Sequence, residues 1–172
     1  MANIDISNWK AFQICDLFEI QKGTRLTRAN MRDGDIRYIG ASSFNNGITA
    51  YIANDENIHE SNTITLSYNG SVGEAFYQDL PFWASDDVNV LYPKFPLSRN
   101  IALFIIPVLK CAGKRYAFVD KWKKEDMEQS VIYLPATPEG NPDFAFMENY
   151  MSCVMEKQQM RLQQLKIAAA LV

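Results

Sequence analysis

The strongest constraint in this sequence lies near its C-terminal end, where a turn leads into a long segment without glycine or proline. A short apolar strand is predicted at Val131–Leu134, and a turn rich in Pro and Gly follows it. Asn141-Pro142-Asp143 then offers an N-cap, a proline suited to the first helical position and an acid in the first turn. Residues 143–172 contain no Gly or Pro, so we predict one helix about 45 Å long. Such a helix would project from a compact domain.

The composition limits the class of protein. A chain of 172 residues, 48% of them hydrophobic, suffices for one domain or for one domain with an extension. No apolar stretch reaches the about 18 residues of a membrane span, and Met1–Trp9 lacks the regions of a secretion signal. Three scattered cysteines, one histidine and no C-x-x-C argue against a disulfide framework or a metal site. We therefore expect reduced thiols, no cofactor, no membrane association and a cytoplasmic protein.

Charge is unevenly distributed along the chain. The net charge is −3, but Arg99–Lys124 holds seven basic residues against one acid, Asp120, which gives this segment a charge of +6. A local basic stripe matters more to a phosphate backbone than the overall charge does. A solvated basic loop and an anion-binding face are both consistent with it.

Alternating polarity and turn residues predict a β-rich domain. Ser42–Gly47 ends in Asn-Gly, a strong hairpin signal. An internal helix is expected over Leu97–Cys111, beginning after Ser98, and Pro107 should kink or end it. Strands or short strands are predicted at Trp9–Ile20, Ile36–Gly40, Ile48–Ala53, Thr63–Tyr68, Glu74–Tyr77, Val88–Tyr92 and Lys114–Val119.

The predicted fold class is α+β. We expect a compact, mainly antiparallel β-rich domain over residues 1–140, followed by one long C-terminal helix over residues 141–172.

The apolar repeat of the long helix is interrupted. Phe144, Met147, Met151 and Val154 follow a 3-4-3 spacing, but from Met155 the repeat continues one residue out of phase, with Gln158 at a would-be core position. This phase step is a stutter in a coiled coil. Packing on its own domain is one interpretation. Beyond about Met155 we favour packing against a second helix, because the domain has little surface left to cover it. The residues expected in that contact are Met151, Met155, Leu162, Leu165 and Ala169.

The sequence offers no self-contained catalytic apparatus. His59, the single histidine, lies in a polar stretch and is predicted to be an exposed loop residue, which argues against a Ser-His-Asp or Cys-His site. Neither a P-loop nor a dinucleotide fingerprint is present. Asp86 and Asp87 would point to opposite faces of a strand, so they are poor joint metal ligands. Gly70–Gly73 spells G-x-x-G, for which a tight hairpin turn is the favoured interpretation over a backbone clamp.

Three predicted loops combine small, amide, aromatic and basic side chains. They are Gln21–Arg28, Ser42–Gly47 and Ser67–Gly73, and Trp83–Asp86, within the predicted polar turn Trp83–Asp87, lies near the third in sequence. Arg and Lys bind phosphate or a guanine edge, and Asn and Gln suit adenine. Backbone amides of Gly-rich turns also bind phosphate. Loops of this composition often do no more than reverse a strand, but together with the basic stripe they favour a DNA-binding surface.

The order and spacing of these features resemble the target recognition domain of the specificity subunits of type I restriction-modification systems, or of the related type IIB systems. The resemblance covers nearly the whole chain, and the junction that precedes the long helix is its most distinctive part. It is carried by W-K-A-F-Q-I-C-D-L-F-E-I-Q-K-G-T-R-L-T (Trp9–Thr27), I-R-Y-I-G-A-S (Ile36–Ser42), L-S-Y-N-G-S-V-G-E-A-F-Y (Leu66–Tyr77), P-F-W-A-S-D-D-V-N-V-L (Pro81–Leu91) and I-Y-L-P-A-T-P-E-G-N-P-D-F-A-F-M-E-N-Y-M (Ile132–Met151).

This resemblance implies a non-catalytic protein. Members of full length carry two recognition domains separated by two long helices, each domain reads half of a split site in double-stranded DNA, and the subunit docks methyltransferase (M) and, in type I systems, restriction (R) subunits. With one domain and one helix, this chain would be a half-subunit or one member of a homodimer. An adaptor that assembles a complex without reading DNA is the alternative, and a nuclease or methyltransferase fragment is the weakest hypothesis.

The candidate DNA contacts follow from the loops and the basic stripe. Lys22, Thr24 and Arg25 are expected at phosphates, and a second set at bases or backbone. The second set is Asn45, Asn46, Tyr68, Asn69 and Ser71. Lys114, Arg115 and Tyr116 are expected to extend the phosphate track.

Overall fold

This computed structural model describes residues 4–116 and 121–169. Within these ranges the chain forms nine strands and four α-helices. The strands are β1 (Trp9–Gln13), β2 (Phe18–Lys22), β3 (Asp33–Ile39), β4 (Ile48–Ile52), β5 (Thr63–Ser67), β6 (Ala75–Gln78), β7 (Phe82–Ala84), β8 (Val88–Pro93) and β9 (Val131–Pro135). The helices are α1 (Ile14–Leu17), α2 (Arg99–Gly113), α3 (Lys124–Gln129) and α4 (Phe144–Ala169).

The strands form three sheets. One has the order β2-β8-β5-β6 and is antiparallel throughout, the second has the order β4-β3-β7, and the third pairs β1 with β9. Among the strands of the described residues, β3 and β7 form the one parallel pair. All five residues of β5 are buried, as expected for a central strand that is covered on both faces. The expected α+β fold, a mainly antiparallel domain followed by a long C-terminal helix, is confirmed.

Helix α2 does not end or break at Pro107. The side chain of Ser98 accepts a hydrogen bond from the backbone N–H of Ile101 (3.1 Å), as expected of an N-cap, and the helix then continues through Pro107 to Gly113. A proline inside a helix costs about 3 kcal/mol. Buried Ile and Leu side chains stabilise by about 1.5–3 kcal/mol each, and the same helix buries Ile101, Ile105 and Leu109. The apolar face therefore outweighs the proline.

Helix α4 begins two residues later than the sequence indicated. Its N-cap is Asp143, whose carboxylate accepts a hydrogen bond from the backbone N–H of Phe146 (2.8 Å). Asn141 is not the cap, because Pro142 is still extended and forms a β-bridge with Ala136. An Asp at this position satisfies an unpaired N–H and also suits the positive end of the helix dipole.

The two halves of α4 have different surroundings. Near its start, Phe144 stacks on Phe95 with ring centroids 4.2 Å apart, Met147 is fully buried, and Glu148 accepts hydrogen bonds from Asn100 (2.7 Å) and Ser98. From Met155 to Ala169 every residue is exposed. We call residues 155–169 the exposed half of α4.

Two other expectations were wrong. His59 is only 8% exposed, because it forms a β-bridge with Phe82 and stacks on its ring, while its Nδ1 lies 2.9 Å from the hydroxyl of Tyr92. This burial lowers the pKa of His59. The segment that was predicted as a polar turn, Trp83–Asp87, begins inside the buried strand β7, and the turn starts at Ser85.

The second part of the basic stripe, Lys114–Lys124, follows helix α2. Lys114 and Arg115 follow α2 without forming a strand, and the rest of the strand predicted over Lys114–Val119 extends into residues 117–120, which lie outside the described residues. Helix α3 begins at Lys124, the last basic residue of the stripe. In the described ranges, no helix is long and apolar enough to cross a membrane.

Candidate nucleic-acid interface

Three loops meet at one end of the four-stranded sheet because of its strand register. Strand β2 ends at Lys22, which pairs with Asn89 near the start of β8, and β5 ends at Ser67, which pairs with Val88. The segments that follow β2 and β5 and the segment that precedes β8 therefore emerge side by side. We call this surface the loop face and define it by residues 22–25, 68–73 and 85–87.

The first loop of this face is held by backbone contacts that require a glycine. The N–H of Thr24 donates to the carbonyl of Ala84 (2.8 Å), and the indole N–H of Trp83 donates to the carbonyl of Thr24 (2.8 Å). A Cβ added to Gly23 would lie 2.1 Å from the carbonyl oxygen of Ser85, far inside contact distance. This close approach fixes the backbone between the two basic residues Lys22 and Arg25.

The second and third loops are joined by hydrogen bonds. The hydroxyl of Tyr68 donates to the carbonyl of Asp86 (2.6 Å), and the side-chain amide of Asn69 donates to the carboxylate of Asp87 (2.6 Å). Burial raises the pKa of Tyr68, and the charges of Asp87 and Asp86 raise it further. The guanidinium of Arg25 lies 3.9 Å from the carboxylate of Asp86, with 78% of its side chain exposed. This geometry brings three predicted site residues, Arg25, Tyr68 and Asn69, together with two aspartates.

The sequence reasoning missed Asp86 and Asp87 as residues of this surface. They were considered as metal ligands, and Asp86 also as part of a segment near the third loop, but neither was counted among the DNA contacts. Their position directly before β8 places them here, since a turn that precedes a strand antiparallel to both β2 and β5 lies beside the loops that follow those strands. That strand pairing is known only from the structure. In the described residues, no group of three or more His, Cys, Asp or Glu is arranged to hold a metal ion.

Lys22 and Ser71 also belong to the loop face. The ammonium group of Lys22 lies 5.9 Å from the ring centroid of Tyr68, within cation–π range. Ser71 lies in the turn between β5 and β6, where Gly70 and Gly73 both have positive φ. The G-x-x-G segment is thus a hairpin turn, as its favoured interpretation predicted.

The C-terminal end of α2 reaches this turn. A Cβ on Gly113 would lie 2.6 Å from the Cα of Gly73, so the helix end and the turn meet backbone to backbone. Lys114 follows directly and therefore borders the loop face. Tyr116 instead contacts residues outside the loop face. Its ring stacks on Trp122 (5.3 Å between centroids), and its hydroxyl lies 3.3 Å from that of Ser130.

The hairpin loop between β3 and β4 is only partly at this surface. A Cβ on Gly70 would lie 3.1 Å from that of Ala41, so the start of the loop borders the loop face. Asn46 instead folds over β6, where its amide donates to the carbonyl of Tyr77 (3.1 Å) and to Gln78 (3.3 Å). The amide of Asn45 donates to the carbonyl of Ile48 (3.3 Å). Both amides thus support the hairpin.

An exposed aromatic residue was missed in the same loop. Phe44 is 79% exposed at the tip of this hairpin. An apolar ring in an Asn/Ser loop beside a polar surface is a candidate for stacking on a base or a sugar. The sequence could have indicated this residue, because Phe44 is the one apolar residue in the polar segment S-S-F-N-N-G.

Ion pairs partly neutralise the basic stripe. Lys110 lies 2.6 Å from Glu74, and Lys124 lies 3.5 Å from Glu128. Arg115 borders a surface cleft that is also lined by Asp126 and Gln129. The stripe is therefore not one continuous basic surface, because Arg115 and Lys124 face other regions of the molecule than Lys110 does.

The residues predicted for the helix contact are largely exposed. Met151 is half-buried against the domain, whereas Met155 is 43% exposed, Leu162 53% and Leu165 61%, and Ala169 is also exposed. Met160 and Ile167 are each 59% exposed as well, but at about 100° per residue they lie on the other side of the helix from this row. An unpartnered apolar row of this length leaves much hydrophobic surface in water.

The fold is shared with known specificity subunits. Over 94% of this chain and 44% of the other, the structure is similar to that of a type I restriction-modification system S subunit from M. genitalium, with 16% identity and a TM-score of 0.62. An HsdS subunit from Thermoanaerobacter tengcongensis matches 97% of this chain and 41% of the other at 14% identity and a TM-score of 0.62. A chain from a structure on complex assembly in the type I R-M system matches 98% and 43% at 14% identity and a TM-score of 0.65.

Sequence similarity identifies the family. The chain is 37% identical over 145 residues to the specificity subunit of a type II restriction enzyme from Heyndrickxia coagulans, which covers 84% of this chain and 42% of the relative. It thus spans less than half the length of the relatives that it matches. Residues 6–166 match the family described as type I restriction modification DNA specificity domain. The chain belongs to this family of specificity domains.

Proposed function

We propose that this chain is a sequence-specific DNA recognition module of a restriction-modification system that reads one half of a bipartite target. The observation that carries the proposal is the convergence of three loops at the loop face, with the exposed cations Lys22, Arg25 and Lys114 at or beside it. Membership in a family of DNA specificity domains also supports DNA recognition. Base edges are read by polar side chains that are held in place by the protein, and phosphates are bound by exposed cations.

We assign the loop residues to two roles. Lys22, Thr24 and Arg25, together with Lys114, Arg115 and Tyr116, bind the phosphate backbone. Tyr68, Asn69 and Ser71 contact bases or the backbone from the loop face, and Asn45 and Asn46, whose amides also support their own hairpin, do so from the loop beside it. Asn69 is the strongest candidate reader, since its one side-chain hydrogen bond within the described residues, to Asp87, orients an amide that still has a donor and an acceptor.

The long helix has a separate role in this proposal. Residues 1–140 form the recognition domain, and residues 141–172 form the spacer through which the chain associates. Burial of apolar surface is worth about 25 cal/mol per Å², so a second helix laid along the exposed half of α4 would be stabilising. That helix belongs to a second copy of the chain or to a second half of a complete specificity subunit. A two-fold dimer would read an inverted repeat with a fixed gap.

The chain is also proposed to be non-catalytic. Methylation and cleavage would come from an M subunit and an R subunit that assemble with it, in the cytoplasm where these enzymes meet DNA. The absence of catalytic motifs in the sequence supports this division of work. Cofactor-dependent methylation or metal-dependent cleavage by the isolated chain would contradict it.

The alternative is an adaptor that assembles a complex through α4 without reading DNA. The observation that favours it is the length of the exposed apolar row, which needs a protein partner whether or not DNA binds. The two functions differ in what charge reversal at the loop face does, because assembly through α4 does not involve that surface.

The test is selection from a pool of randomised duplexes, followed by affinity measurements on the enriched sequence. We expect one sequence to be enriched and the double variant Lys22→Glu, Arg25→Glu to lose at least tenfold in affinity. Lys94→Glu, at the opposite end of β8, is the matched control and should bind as the unmodified protein does. Failure of any duplex to bind better than random DNA, even with the M subunit present, would eliminate the recognition function and leave the adaptor.

A further inference from the structure

We propose that helix α2 carries a second phosphate-binding track, which leads from the loop face along the flank of the domain to a cleft beside β6. This inference rests on the proposed DNA recognition and extends it to DNA outside the recognised bases. Arg99, Lys110 and Lys114 lie on one side of α2, because about three helical turns separate the first two and about one more turn separates the last two. The row is about 22 Å long.

The part of this row away from the loop face, between Lys110 and Arg99, faces a cleft with cations on both walls. The cleft has a volume of about 390 Å³ and lies between α2 and strands β3, β4 and β6. Arg99 and Lys110 line it from α2, and Arg37 lines it from β3. The ammonium group of Lys110 lies 5.2 Å from the ring centroid of Phe76, which forms part of the floor. Three positive groups from two separate elements thus surround one open cavity.

Two carboxylates balance this charge incompletely. Asp79 lies 2.5 Å from Arg37, and the hydrogen bond from Arg37, with a contribution from the charge of Arg99, lowers the pKa of Asp79. Glu74 lies 2.6 Å from Lys110. Arg99 is exposed and has no ion pair within 4.0 Å among the residues that the structure describes. The cleft therefore keeps one excess positive charge, with Arg99 as the cation available to an anion.

The position of the cleft favours the DNA backbone over an isolated anion. The row begins where Gly113 contacts the turn of the loop face, and Glu74, the partner of Lys110, is the residue directly after Gly73 of that turn. A duplex seated on the loop face would therefore have its flanking phosphates next to α2. At about 3.4 Å of helix axis per phosphate on one strand, the row spans about six phosphates. One excess charge suits repeated weak contacts better than tight capture of a single ion.

The experiment is the salt dependence of binding to a 30-base-pair duplex of fixed, arbitrary sequence, with the full chain. Each phosphate contact contributes about 0.9 to the slope of log K against log[salt]. We expect Arg99→Gln to lower this slope by about 1 and to weaken binding about three- to tenfold, equally for the arbitrary duplex and for a selected target. The control is Lys94→Gln, which also removes one positive charge. Lys94 follows the end of β8 that lies away from the loop face, so this substitution should leave the slope unchanged. Glu74→Gln should act in the opposite direction, because it releases Lys110.

The outcomes separate this inference from the proposed function. If the unmodified chain binds no duplex at low salt, both are overturned. If Lys22→Glu, Arg25→Glu weakens binding while Arg99→Gln and Glu74→Gln leave the slope unchanged, recognition stands and the α2 track is wrong. Calorimetric binding of inorganic phosphate that is lost in Arg99→Gln, with an unchanged DNA slope, would also overturn the track in favour of a small-anion site. Arg99 is exposed, so its substitution should leave the melting temperature unchanged.

Discussion

The loop face and the exposed half of α4 are both candidates for binding a partner, but their side chains are held in opposite ways. At the loop face, hydrogen bonds join Tyr68 and Asn69 to the turn at Asp86 and Asp87, and backbone contacts fix Thr24. In the exposed half of α4, apolar side chains such as Leu162 and Leu165 project into solvent. A preorganised polar surface suits discrimination between similar ligands. An unpartnered apolar row suits association, where buried area matters more than exact polar geometry.

The largest effect should come from the buried start of α4. Met147→Ala removes a fully buried side chain, and we expect a loss of about 2–5 kcal/mol in the free energy of unfolding. Met160→Ala, in the same helix but 59% exposed, should change it by less than about 0.5 kcal/mol. Urea denaturation at low protein concentration measures both. Equal effects of the two substitutions would mean that the halves of the helix do not differ as described.

The next effect concerns association through the exposed half of α4. Leu162→Lys with Leu165→Lys should weaken self-association at least a hundredfold, because two charges would be buried in the helix contact. Gln163→Lys with Gln164→Lys introduces the same charges at the neighbouring polar positions and should preserve the dimer. Light scattering gives the molar mass in each case, and a chain ending at Tyr150 should be monomeric. A monomeric unmodified chain would instead point to a second half or an M subunit as the occupant.

A smaller effect is expected from the bracing of the loop face. Asp87→Ala removes the acceptor that orients the amide of Asn69, so discrimination between the selected target and a single-base variant should fall about tenfold. Affinity for arbitrary DNA should not fall, since the substitution removes a negative charge from the proposed DNA-binding surface. Competition binding with the two duplexes distinguishes these results. A uniform loss on both duplexes would indicate that the loop has simply unfolded.

The smallest effect is a pH dependence that belongs to the globular part alone. Burial lowers the pKa of His59 in the folded chain below its value of about 6.5 in the unfolded chain. As the pH falls below about 6.5, the unfolded state takes up a proton that the folded state does not, so stability decreases by at most about 1.4 kcal/mol per pH unit. Thermal melts at pH 7.5 and 5.5 should show this decrease, and His59→Gln should reduce it. A chain ending at Tyr150 should respond as the full chain does.

Local chemistry predicted many of the elements correctly. The cap at Ser98, the Asn-Gly hairpin between β3 and β4, and the long helix without Gly or Pro each depend on residues close together in sequence. Predictions failed where a distant segment decided the outcome. His59 is buried by its bridge to Phe82, and Pro107 stays within a helix because the apolar face of α2 packs into the core.

The candidate site shows the same division. The sequence by itself determined which loops carry polar and basic side chains and that a long amphipathic helix follows the domain, since both depend on composition and short-range spacing. Only the tertiary structure decided that Lys22, Asn69 and Asp87 share one surface while Asn46 folds over β6. Strand register makes that decision, because the hydrogen-bonded order of β2, β8 and β5 is set by contacts between residues far apart in the chain.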